Sequence, residues 1–125
     1  MVICLFGQRY RPGADLEEEA RLGAELLREL ERLPGFISYH SYVAEDGEVL
    51  GVIRFESREA LEDWRDNEIH RGVWNRAAEF YEEFWIQNGD TYREYRWAEG
   101  TRHDENLTER FRSERAQPPY RPSIA

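Results

Sequence analysis

The strand-like segments of this chain carry apolar or aromatic side chains on both faces, and that feature constrains the fold most. The opening run Val2–Tyr10 sets Ile3 and Leu5 on one side and Val2, Cys4 and Phe6 on the other. The segment 36–44 sets Ile37, Tyr39 and Val43 against Phe36, His40 and Tyr42. Successive strand residues point to opposite faces, so a strand that is apolar on both is covered twice. The chain offers only two helical regions, enough for one face of a small sheet. The other cover is expected from a second copy, in a C2 homodimer packed sheet on sheet.

The order of elements defines the sheet. Val2–Tyr10 ends at the turn signal Arg11-Pro12-Gly13. Asp15 is a candidate N-cap, with Glu17, Glu18 and Glu19 in a first turn where the helix dipole favours negative charge. Leu16, Ala20, Gly23, Leu27 and Leu30 then recur at helical spacing until Pro34-Gly35. Strands are expected at 36–44 and 48–56, joined by the hairpin signal Glu45-Asp46-Gly47. Ser57 caps a short helix over Arg58–Asp66 that bears Ala60, Leu61 and Trp64. A further helical stretch is expected at 69–83, broken from the first near Asn67, with His70, Val73, Trp74, Ala77, Phe80, Tyr81 and Phe84 on its apolar face. Residues 85–97 read as a last strand interrupted at Asn88-Gly89-Asp90. The order is β-α-β-β-α-β, an α+β ferredoxin-like protomer over residues 1–97. Residues 98–125 balance five Arg with five acids among three Pro. An extended or disordered tail is expected there, or an arm that orders against the dimer partner.

Charge removes several function classes. With 17 basic and 26 acidic residues the net charge is −9. Phosphate affinity comes mainly from cations, so neither nucleic acid nor an anionic membrane is an expected partner. All 17 cations are Arg, which excludes Schiff-base and P-loop chemistry, both dependent on a lysine amine. The single cysteine, Cys4, cannot close an internal disulfide, and no apolar run approaches a membrane span. A cytoplasmic setting is expected. No Gly-rich nucleotide fingerprint is present, and His40, His70 and His103 fall on separate elements without metal-ligand spacing. Neither a metal nor an organic cofactor is expected.

The run Phe55-Glu56-Ser57-Arg58-Glu59-Ala60-Leu61, followed by Trp64 and His70, resembles the central signature of the antibiotic biosynthesis monooxygenase family. Pro12-Gly13, Pro34-Gly35-Phe36 and Phe80-Tyr81-Glu82 extend the resemblance over residues 2–97. The resemblance implies a dimeric α+β barrel of ferredoxin-like protomers. It also implies a cofactor-independent monooxygenase acting on an aromatic or polyketide-like molecule in secondary metabolism, with dioxygen as co-substrate. A non-catalytic, stress-related barrel that binds a small molecule is the alternative. Similar haem-degrading enzymes carry a Trp that Trp64 matches, but this chain has Trp74 at their iron-ligating His and Phe6 at their strand Asn. Some cofactor-free oxygenases place an Asn one turn before the Trp, where this chain has Ala60.

A cofactor-free oxygenase needs an apolar pocket, a base for the substrate proton and a donor for the developing oxyanion. His70 is the leading base, because imidazole exchanges a proton near neutrality. The plainer reading makes it a buried histidine bridging two helices. Trp64 is a candidate catalytic wall, and packing alone would also explain it. Phe55, Trp74 and Tyr81 are candidate substrate contacts on the same terms. Phe6 and Gln8 share one face of their strand, His40 and Tyr42 one face of theirs, and together the four could floor a cavity. Alternation groups the residues within each strand and leaves the direction open; the family resemblance favours the cavity side.

Overall fold

The computed structural model describes residues 1–100; the rest of the expected tail, with His103, lies outside the described residues. Its elements are β1 (Val2–Tyr10), α1 (Leu16–Arg32), β2 (Phe36–Val43), β3 (Val49–Phe55), α2 (Arg58–Asp66), α3 (Glu68–Trp74), α4 (Ala77–Phe80) and β4 (Tyr81–Asp90). The strands form one antiparallel sheet in the order β2-β3-β1-β4. The fold is the α+β ferredoxin-like arrangement, with its second helical region divided in three.

Local chemistry places the boundaries. Asp15 accepts a hydrogen bond from the Glu18 N–H at 3.1 Å and opens α1. Gly35 closes the following turn with φ +87°, and a Cβ there would stand 2.7 Å from that of Ala60. Two constraints thus require glycine at that position. Gly47 turns the β2–β3 hairpin at φ +91°. Ser57 accepts from the Ala60 N–H at 3.2 Å and starts α2. Asn67 ends α2 and caps α3, so the break near Asn67 is a change of direction between two short helices.

The expected helix over 69–83 is shorter than its apolar spacing implied. Helical structure ends at Phe80, and Tyr81–Asp90 forms β4 instead. Phe80, Tyr81 and Phe84 satisfy a helical stripe, but the same stretch also satisfies a bulged strand. Pairing along nearly all of β1 decides between them. The register shifts between Arg9 and Tyr10, leaving Glu82 unpaired, so that Tyr81 lies on the same sheet face as Phe84. The last strand therefore ends at Asp90, rather than running on through 97. Beyond it, Tyr92, Tyr95 and Trp97 are exposed.

The buried core lies between the sheet and the helices, where Cys4, Leu30, Ile53, Phe55, Ala60 and Trp64 pack together. Glycines let large rings cross the sheet on either side. The Phe6 ring lies over Gly51 on the helix side, and the Trp85 indole lies over Gly7 on the other. Trp85 Nε1 also donates to Glu48 at 2.9 Å. The sheet face away from the helices bears Ile3, Leu5, Leu50, Val52, His40, Tyr42 and Trp85. Among the described residues no helix is long and apolar enough to cross a membrane.

Candidate active site

A cavity of about 220 Å³ opens between the helices and the sheet. Cys4, Phe6 and Gln8 of β1, Tyr39 of β2, Ile53 of β3 and Phe84 of β4 line its floor. Leu22, Leu26 and Leu30 of α1, Trp64 of α2, and His70, Val73 and Trp74 of α3 form its walls and roof. An apolar cavity of about 150 Å³ holds one benzene ring, so this one has the size for a bicyclic aromatic.

The aromatic lining is continuous. Phe6 stacks on Phe84 at 6.0 Å between centroids, and Trp74 meets Phe84 edge-on at 4.9 Å. Tyr81 lies 5.8 Å from Phe84, and Tyr39 lies 6.0 Å from Phe6. Rings at these separations attract through their quadrupoles and present flat faces to a flat ligand.

His70 stacks on Trp64 at 4.3 Å with the ring planes 23° apart. The cap positions it, because Asn67 Oδ1 accepts from the His70 backbone N–H at 3.0 Å. Burial lowers the pKa of the imidazole, against a smaller opposing effect of the Trp64 and Arg65 carbonyls. Nδ1 is buried and meets no partner of hydrogen-bonding geometry. The ring is therefore neutral at pH 7 and able to accept a proton. Cys4 stands deeper in the floor, where burial pushes its thiol up to about 11. It is protonated and inert as a nucleophile at neutral pH.

The other end of the cavity holds a group that the sequence did not single out. Glu19 is buried, at 5% exposure, and its Oε2 accepts from Tyr81 Oη at 2.6 Å and Tyr10 Oη at 3.1 Å. Burial raises the pKa of this carboxyl, with the two phenol bonds acting in the opposite direction. Both phenols are pushed above their ordinary range, chiefly by burial and next by Glu19 itself. In the sequence Glu19 stands only as the third of three first-turn acids favoured by the helix dipole. A usable signal existed: Glu19, Leu22, Gly23, Leu26 and Leu30 share one helical face, and an acid inside an apolar stripe is out of place.

Of the candidates drawn from the sequence, the fold brings together Phe6, Gln8, Trp64, His70, Trp74 and Tyr81 around the cavity. It does not bring His40, Tyr42 or Phe55 there. His40 pairs with Val52 and Tyr42 with Leu50, which puts both on the sheet face away from the helices. The four proposed floor residues therefore divide between two faces, because the strand register joins even positions of β1 to odd positions of β3 and β2. Phe55 is fully buried in the core cluster beneath Trp64.

A single ferredoxin-like sheet with an aromatic cavity under its helices defines the class, a small α+β protein of ferredoxin-like fold. Within that class this chain belongs to the antibiotic biosynthesis monooxygenase family, whose sequence model matches residues 1–75. The family is dimeric. Among solved structures the chain is similar to Rv0793 of Mycobacterium tuberculosis, at 23% identity and TM-score 0.66 over 74% of this chain and 96% of that one. It is also similar to SO0527 of Shewanella oneidensis, at 21% identity and TM-score 0.62 over 70% and 87%. A third is a protein described as an antibiotic biosynthesis monooxygenase, at 14% identity and TM-score 0.63 over 74% and 100%. No curated protein sequence matches the chain. Membership and cavity together support a monooxygenase-like or small-molecule-binding role.

Proposed function

We propose that this protein is a cofactor-independent monooxygenase of an aromatic or polyketide-like molecule in secondary metabolism. The observation that carries the reading is His70, a buried neutral imidazole without a partner at Nδ1, stacked on Trp64 in the wall of an apolar aromatic cavity. His70 takes the proton from the substrate carbon or hydroxyl. The electron-rich anion that remains then reduces dioxygen directly. One oxygen atom ends on the ring carbon, and for a ring methylene becoming a ketone the other leaves as water with the two substrate hydrogens. Trp64, Phe6 and Trp74 hold the ring system, while Gln8 and Tyr81 supply polar contacts beside it. Activity is proposed in a homodimer joined through the sheet face that bears Ile3, Leu5, His40 and Tyr42. Residues 98–125 are proposed as an arm that orders against the partner. A single, buried Cys4 fits a cytoplasmic setting.

Dioxygen consumption by metal-stripped protein with anthrones and naphthols tests the reading, with product masses checked. His70→Ala should lower kcat about 100- to 10,000-fold, the range for a lost general base, with little change in binding. Trp64→Phe should weaken binding instead. A wild-type rate in His70→Ala would remove His70 from the chemistry.

One observation favours the non-catalytic reading. Ala60 is buried against Gly35 and offers no hydrogen-bond donor where some oxygenases of the family have Asn. Tight binding of the same compounds, seen as quenched Trp fluorescence without any oxygen uptake, is the result expected of a sequestering barrel.

A further inference from the structure

The cavity has two polar poles, and the proposed chemistry uses only one. His70 stacks on Trp64, which packs with Cys4 and Ile53 in the core cluster. Glu19 stands by Tyr10 and Tyr81, at the opposite end of β1 from Cys4. Tyr10 lies six positions along β1 from Cys4, about 20 Å of strand, and the Phe6–Phe84–Trp74 aromatic group lies between them. A buried carboxylate is costly, and it persists where its lone pairs are used. Oε2 takes two phenol hydrogen bonds, whereas Oε1 accepts from no group among the described residues. Glu19 nonetheless lines the cavity.

We propose that Glu19 is a specificity-determining residue whose Oε1 accepts a hydrogen bond from a ligand hydroxyl, with Tyr10 and Tyr81 as positioning residues. The preferred ligand is then a flat aromatic bearing a phenolic hydroxyl remote from the reacting carbon. Its rings lie along Phe6 and Phe84 and its hydroxyl donates to Glu19, with the opposite edge turned toward the His70 end of the cavity. The two phenols matter because both donate to the same oxygen. They hold the carboxylate in one rotamer and leave its other oxygen for the ligand. The proposal rests on the cavity being the ligand site, as in the proposed function, and does not require turnover.

The test measures binding of 1-naphthol and of its methyl ether by Trp fluorescence quenching. The ether fills the same space and cannot donate. Wild-type protein should prefer the naphthol by roughly ten- to hundredfold, the effect of a hydrogen bond to a charged group. Glu19→Gln should cut that preference severalfold, and Glu19→Leu should abolish it while keeping the ether bound. Tyr81→Phe keeps Oε1 but removes one of the two bonds that fix the carboxylate rotamer, so it should lower the preference, by less than Glu19→Leu does. Preference lost in Tyr81→Phe but kept in Glu19→Gln assigns the hydroxyl to the phenol and overturns the proposal. So does preference lost only in His70→Ala. Equal binding of both compounds to wild type overturns the role of Glu19 and leaves the cavity reading standing. Binding of neither compound overturns both.

Discussion

His70 and Glu19 are buried in one cavity, and burial moves each away from its charged form in the opposite pH direction. For His70 the folded pKa lies below the ordinary 6.5 of the unfolded chain. Between those two values the unfolded state binds more protons, so stability present above pH 6.5 is lost as the pH falls. His70→Phe, which keeps a ring against Trp64, removes this loss. Chemical denaturation at pH 7.5 and pH 5 should show wild type losing more stability than the variant; equal losses would mean that the imidazole is solvated. The same lowering predicts an acid limb in any kcat profile below pH 6.5. For Glu19 the folded pKa lies above the ordinary carboxyl value. Burial of its charge therefore costs stability at neutral pH, a cost that disappears in acid.

Short helices and glycine gaps set the geometry at the scale of elements. Seven-residue α3 is too short to be stable alone, and its Asn67 cap bonds the N–H of the proposed base itself. Asn67→Ala should cost about 1 kcal/mol and should also reduce kcat through a displaced His70. Restoration of both by Asn67→Asp would confirm the cap as the cause. In β3, Gly51 admits the Phe6 ring, and a Cβ there would meet Phe6 carbons at 2.0–2.6 Å. Gly51→Ala should push that ring into the cavity, at about 1–3 kcal/mol for overpacking and with weakened ligand binding. Unchanged binding would show that the Phe6 side of the floor does not touch the ligand.

In the whole molecule, the helices cover one sheet face and leave Leu5, Leu50, His40 and Tyr42 on the other, with Tyr42 56% exposed. Light scattering should find a dimer at micromolar concentration. Each protomer carries −9, so added salt should screen the repulsion and tighten the dimer, the reverse of an association held by ion pairs. A monomer under these conditions would leave the apolar face without its partner. Removal of residues 98–125 should leave the protomer folded, because the buried core lies within β1 to β4 and the helices.

Much of this was legible in the residues themselves. Asp15, Ser57, Gly35 and Gly47 act locally, through caps and turns that depend on a few neighbours, and they mark their elements in the structure as they do in the sequence. The β-α-β-β-α-β order follows from such local signals, and the family follows from a contiguous motif around Trp64. Which strand face meets which was not legible, because alternation sorts side chains within a strand and says nothing of the register between strands. Two bulges, at the start of β2 and at Glu82, change the parity along their strands. They set Tyr39 beside Phe6 and Tyr81 beside Phe84, and turn His40 and Tyr42 away. Glu19 shows the same division: its place in the apolar stripe of α1 is written in the sequence, but its phenol partners come from β1 and β4 and met it only when the chain folded.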